Sequence, residues 1–116
     1  MERSTELAML EAAVIPKIQK AKECFRAGKT EEMWKIINHD LIGLFQPYRK
    51  SEMEKYNNTP DNLKGAPNVE SMLKNAELYQ NAIDLLWDEK EDEPRHVDEE
   101  TLSTVERIVE EIIGEK

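Results

Sequence analysis

The sequence predicts an all-α fold, an irregular four-helix bundle, on three observations. Apolar residues recur at helical spacing over most of the 116 residues. Four glycines and five prolines are too few for the many tight turns of an all-β domain. Four amphipathic segments, two of them with broad apolar faces, require mutual burial within one helical domain spanning residues 1–116.

The first helix is expected to begin at Ser4 or Thr5, whose hydroxyls can accept from free backbone N–H groups, and to end at Gly28. Leu7, Leu10, Val14, Ile18, Ala21 and Phe25 follow one another at intervals of 3, 4, 4, 3 and 4, which places them on one face. Pro16 lacks a backbone donor and crowds the turn before it, so a kink or break is expected near that residue. Thr30, Glu31 and Glu32 suit the start of a second helix, because an oxygen cap and negative charge both favour an N-terminus. Met33, Ile37, Leu41 and Leu44 line one face of it, and Trp34, Ile36, Ile42 and Phe45 widen that face enough for two neighbours. Gly43 costs roughly 1 kcal/mol relative to alanine inside a helix, which signals close helix contact or a local end. Pro47 is then placed to open a short extra helix through Tyr56.

Residues 57–68, NNTPDNLKGAPN, concentrate turn formers and read as a long connecting loop. Asn68 is placed to cap a third helix with Val69, Met72, Ala76, Tyr79, Ile83 and Leu86 on one face, and Leu73, Leu78, Ala82, Leu85 and Trp87 extend its apolar surface. Residues 90–98 read as an acidic linker. Asp98 can cap a fourth helix that carries Leu102, Val105, Val109 and Ile112, with Ile108 and Ile113 alongside and Gly114 at its end. The structural alternative is a homodimer in which this fourth helix packs in trans.

Charge narrows the function classes. Residues 1–66 hold 11 Lys/Arg against 10 Asp/Glu, whereas residues 67–116 hold 5 against 15, so the net charge of −9 belongs to the second half. Such a field disfavours direct contact of that half with nucleic acid or an anionic membrane, and favours a basic partner. No run approaches the roughly 18 apolar residues of a membrane span, and Glu2, Glu6 and Glu11 interrupt the N-terminus, so a soluble cytoplasmic protein is expected. The single cysteine, Cys24, cannot close an intrachain disulfide, fits a reducing compartment, and reads as a small buried residue beside Phe25.

Motifs for chemistry are sparse. His39-Asp40 is the dipeptide of HD phosphohydrolases, but no histidine precedes it. Glu93-Pro94-Arg95-His96 matches the Glu-x-x-His of di-iron bundles once, with a proline inside and no second copy. Neither Cys24 nor Ser4, Ser51, Ser71 or Ser103 lies in an activation motif, and there is no glycine-rich phosphate loop. The junction from Ala27 to Met33 resembles the hairpin turn of tetratricopeptide repeats and the first hairpin of HEPN domains. The repeat has no second copy, and the arginine–histidine pattern of catalytic HEPN domains is absent. No catalytic residue, cofactor or metal site is therefore assigned.

The remaining signal is acidic. Residues 84–100 hold nine carboxylates against Lys90 and Arg95. If the third helix continues far enough, Asp84, Asp88 and Glu91 or Asp92 share one face, with Glu89 and Glu93 beside them. Acids at a helix C-terminus are unfavourable by roughly 0.3–1 kcal/mol each, so something must compensate. One compensation is that the segment frays into a hydrated linker or lies beside Lys17, Lys20, Lys22 and Arg26 of the first helix; another is a basic patch on a protein partner, with Trp87 as a partly exposed aromatic anchor. A weaker surface runs through Phe45, Gln46, Pro47, Tyr48, Arg49 and Lys50, where aromatic and basic residues adjoin a bend. The partner-binding candidates are thus Asp84, Trp87, Asp88, Glu91, Asp92, Tyr48 and Arg49. The expected function is that of a small acidic protein that binds and regulates or inhibits a protein partner, in the manner of immunity proteins, antitoxins, phage inhibitors or adaptors. The alternatives are a self-associating structural subunit and a metal-dependent nucleotide hydrolase. The latter draws on Glu106 and Glu110 and resembles the all-α nucleotide pyrophosphohydrolases, whose Glu-x-x-Glu and Glu-x-x-Asp pairs are not reproduced in order.

Overall fold

The computed structural model describes residues 3–114, which form four helices and one two-stranded hairpin. The first helix, α1 (3–26), is continuous through Pro16 rather than broken there. An α-helical stretch Arg3–Met9 passes into a π-helical turn Leu10–Val14 and then into Ile15–Arg26. Within the turn, the Ile15 N–H bonds to the Leu10 carbonyl, five residues back. Widening the helix in this way just ahead of Pro16 accommodates a residue that has no N–H and presses on the carbonyl four residues before it. Ser4 and Thr5 fall inside the helix, since Arg3 is already helical.

Gly28, at φ +74°, ends α1 as expected. The Lys29 N–H reaches back to the Cys24 carbonyl at 2.8 Å and the Gly28 N–H to Phe25 at 3.1 Å, which is the paired closure of a left-handed glycine cap. Thr30 does not cap the next helix; it is the first helical residue, after Lys29 in a non-helical conformation with no side-chain cap bond.

The second helix, α2 (30–57), does not end at Gly43, one of the two readings of that glycine, and it corrects the separate helix expected after Pro47. Thr30–Lys35, a π-helical stretch Ile36–Ile42, and Gly43–Asn57 run on without interruption, with Pro47 inside the last. A π-helical stretch again lies upstream of the proline, where the Gly43 N–H bonds five residues back to Asn38, although it ends before the Gly43 carbonyl that faces Pro47.

The connection contains one 3-10 turn, Asp61–Leu63, and delivers the chain to α3 (Pro67–Leu86). Pro67 occupies the first helical turn, after Ala66 in an extended conformation, so Asn68 lies within the helix and does not cap it. The fourth helix, α4 (Glu99–Gly114), is capped by Asp98 as expected: its Oδ1 accepts from the Thr101 N–H at 2.9 Å and the Thr101 hydroxyl at 3.0 Å.

The helices close a ring in which α1 packs on α2, α2 on α3, α3 on α4, and α4 on α1. Leu10, Val14, Ile18, Ile37, Leu41, Phe45, Tyr79, Ile83, Leu86, Leu102, Val105 and Val109 are fully enclosed at its centre. Leu102, Val105, Val109 and Ile112 of α4 are enclosed inside the chain, and Ile108 and Ile113 beside them are half-buried. Lys22 of α1 crosses to Glu106 of α4 at 3.1 Å, with side chains 9% and 16% exposed, and Gln19 donates to the same carboxylate. Arg26 pairs with Glu99 at the start of α4. Among the described residues, no helix is long and apolar enough to cross a membrane.

Candidate functional site

Between α3 and α4 the acidic segment is neither a continuing helix nor an open linker. Trp87 turns to φ −147°, ψ 135°, which ends α3 at Leu86. Trp87–Asp88 (β1) then pairs antiparallel with Glu93–Pro94 (β2), Trp87 opposite Pro94 and Asp88 opposite Glu93. The Arg95 N–H donates to the Leu86 carbonyl at 3.1 Å and prolongs the ladder. This geometry overturns the expected helical row of Asp84, Asp88 and Asp92. The physical reason is the cost anticipated from the helix dipole: leaving the helix at Leu86 removes Asp88 to Asp92 from its negative end.

Asp88 shapes the turn, its Oδ1 accepting from the backbone N–H groups of Lys90 and Glu91, each at 3.1 Å. Asp92 takes the left-handed conformation, φ 52°, which aspartate tolerates better than most residues. Its carboxylate accepts from the Trp87 indole N–H at 3.2 Å. The Trp87 ring meets Trp34 of α2 edge to face, centroids 6.3 Å apart at 74°. Trp87 is therefore half-buried between the hairpin and α2 rather than freely presented.

Glu89, one residue into the turn, fastens the hairpin to the bundle. Its carboxylate accepts from Gln80 Nε2 at 2.8 Å, Arg49 Nη1 at 2.9 Å and Gln46 Nε2 at 3.3 Å. These donors, above all Gln80, hold the Glu89 carboxyl below the ordinary glutamate range against the opposing effect of partial burial. Gln80 also donates to Asp84 at 2.8 Å, and Arg95 lies 3.7 Å from Asp88. Arg49, expected at a docking surface, is thus engaged within the chain.

Tyr48 is a core residue, 7% exposed, packed on Tyr79 with centroids 5.8 Å apart. Burial raises its hydroxyl above the usual tyrosine range. The aromatic part of the second candidate surface consequently faces inward, since Phe45 is enclosed too. At the tip of the hairpin, by contrast, Lys90 and Glu91 are exposed, as is Glu93 where the second strand begins, and their side chains make no hydrogen bond or ion pair among the described residues.

Sequence reasoning did not find Glu89 or Gln80 as a unit, because their contact depends on a reversal of chain direction after Leu86. Two tryptophans, each at the edge of a broad helical face, were the available signal. Of the α1 cations expected to serve the acidic segment, Arg26 does so at its far end by pairing with Glu99, whereas Lys17 pairs with Asp40 at 3.7 Å and Lys22 with Glu106. The magnesium alternative meets the same fact, for Glu106 is already held by Lys22 and Gln19. Among the described residues, no three His, Cys, Asp or Glu side chains cluster as a metal site would need. His39 stands in solvent beside Asp40, and Cys24 is buried with its thiol 4.0 Å from Glu32. Comparison with protein-family models, curated proteins and solved structures finds no match.

Proposed function

We propose that this protein is a non-enzymatic binding module that presents the tip of its acidic hairpin to a protein partner carrying a basic patch. One observation supports this reading. Within a hairpin whose other carboxylates are tied to the fold, Glu91 in the turn and Glu93 just after it are exposed without side-chain partners among the described residues, on a turn that Asp88 and Asp92 hold in shape. Loops braced by a rigid scaffold bind with little ordering cost, and unmatched like charge steers encounter with an oppositely charged surface. Asp84, Asp88 and Asp92 support the turn or its helix, so Glu91 and Glu93 are the residues whose charge can be removed without disturbing it.

The test compares the wild-type chain with E91Q/E93Q, bound to resin and exposed to extract of the native host at stepped ionic strength. The expected result is a protein retained by the wild type, released by rising salt, and retained several-fold less by the variant at low salt, with helicity equal in both. Equal retention of the same proteins by both chains refutes the reading.

A further inference from the structure

We propose that residues 88–96 form a latch that lifts from the helical bundle as one unit, with the Glu89 carboxylate as its pin. Leu86, which is fully enclosed, and Val97, 6% exposed, fix the two ends of this segment. Between them every residue from Glu89 to His96 is exposed and Asp88 is half-buried, so the apolar contact that holds the hairpin comes from Trp87 at its base, packed on Trp34. Apart from the backbone bond between Arg95 and Leu86 at its base, its polar ties to neighbouring helices converge on one group. Among the described residues, the side-chain bonds from 88–96 to α2 and α3 all end on Glu89, which joins Arg49 and Gln46 on one side and Gln80 on the other. Every other side-chain hydrogen bond or ion pair of the segment stays within 87–101: Asp88 with Lys90, Glu91 and Arg95, Asp92 with Trp87, and Asp98 with Thr101 just beyond it.

A segment with internal bonds of its own, anchored ends and a single side-chain fastening to neighbouring helices opens as a body rather than fraying residue by residue. Lifting carries Trp87 away from Trp34, because Trp87 belongs to the first strand of the hairpin. Trp34 also lines a shallow groove of about 670 Å³ with Thr30, Glu31, Lys35, Asn38 and His39, so opening lengthens that groove toward α3. The latch holds or fails independently of whether Glu91 and Glu93 meet a partner.

Hydrogen exchange on the full chain tests this directly. In the wild type, the amides of 88–96 are expected to exchange faster than those of α3 and α4. Glu89→Gln should speed the hairpin amides by roughly five- to thirtyfold, the factor that corresponds to losing one or two charge-assisted bonds, and leave the helical core amides within about twofold. Glu91→Gln, which removes the same charge from an unpartnered position, should leave the hairpin rates unchanged. A second readout does not rely on exchange. With Trp34→Phe, Trp87 is the sole tryptophan, and adding Glu89→Gln should shift its emission to the red and increase its quenching by acrylamide. Hairpin amides that exchange only with the core, equal effects of E89Q and E91Q, or Trp87 emission indifferent to E89Q would each overturn the latch.

Discussion

Removing Glu106 should destabilise the fold far more than removing any other carboxylate of α1 or α4 that forms an ion pair among the described residues, because it strands a cation. Lys22 is enclosed between α1 and α4, its side chain 9% exposed, with the Glu106 carboxylate at 3.1 Å. At an effective dielectric of about 20 the gross attraction at this separation is roughly 5 kcal/mol. Desolvation of both groups offsets much of it, so the pair contributes little net relative to an apolar replacement. Truncating one side is different: the remaining ammonium keeps its burial and loses its partner, at a cost of about 3 kcal/mol or more. With an unfolding entropy of about 2.1 cal/mol/K per residue, 116 residues convert that loss into a fall in melting temperature of roughly 12 °C. The assay is thermal unfolding followed by circular dichroism for wild type, E106A, K22M and K22M/E106L. The apolar double variant should recover to within about 4 °C of the wild type, because it removes both charges together. A fall of under about 4 °C for E106A would mean that water still reaches Lys22, and the reasoning from burial would be refuted.

Two glycines should respond with opposite sign in the same assay. Gly28→Ala forces a side chain into φ +74° and should cost about 1–2 kcal/mol although nothing lies within 4 Å of the new Cβ. Gly43→Ala, at helical φ −59° with Asn38 O 3.4 Å from the new Cβ, should gain about 0.5–1 kcal/mol by reducing the freedom of the unfolded chain. Asp98 supplies a pH signature. Bonds from the Thr101 N–H and hydroxyl lower its carboxyl below the ordinary aspartate range, so its stabilisation is complete above the unfolded value of about 3.9 and fades as pH falls through the lower folded value. D98A should therefore lower the melting temperature near neutrality and lose less on acidification between about pH 4 and 2 than the wild type, as read by acid titration of helicity.

The helical faces were legible because burial repeats with the helical period. All of Leu7, Leu10, Val14, Ile18 and Ala21 are enclosed, as are Tyr79, Ile83 and Leu86 on α3 and the whole Leu102–Ile112 stripe. Local chemistry was legible where one residue suffices, at Gly28 and Asp98. Pro47 misled, and Pro16 misled as to a break, because a proline is read by the α-helical bond it removes, whereas both helices contain π-helical stretches upstream of it and stay continuous. That response depends on the packing of Leu10, Val14, Ile37 and Leu41, which reward continuity of the buried face; a rule for isolated helices does not contain it. Thr30 and Asn68 failed as caps for a smaller reason, a shift of one or two residues in where each helix begins.

The hairpin was illegible in a more instructive way. Trp87-Asp88 and Glu93-Pro94 contain no β-branched residue and no Asn-Gly or Asp-Gly turn, so nothing local announces strands. What the sequence does contain is an electrostatic inconsistency, acids accumulating where a helix would end, and the fold resolves it by ending the helix first. The resolution is uneven. Asp88 and Asp92 become turn-forming groups and Glu89 becomes a fastening to α2 and α3, while the Glu91 and Glu93 side chains find no partner among the described residues. A four-residue turn needs no such pair for its geometry, since the groups that shape it are Asp88 and the left-handed Asp92. The charge at the tip is thus separable from the architecture beneath it, and E91Q/E93Q and E89Q interrogate different properties of one short segment: what it presents, and how firmly it is held.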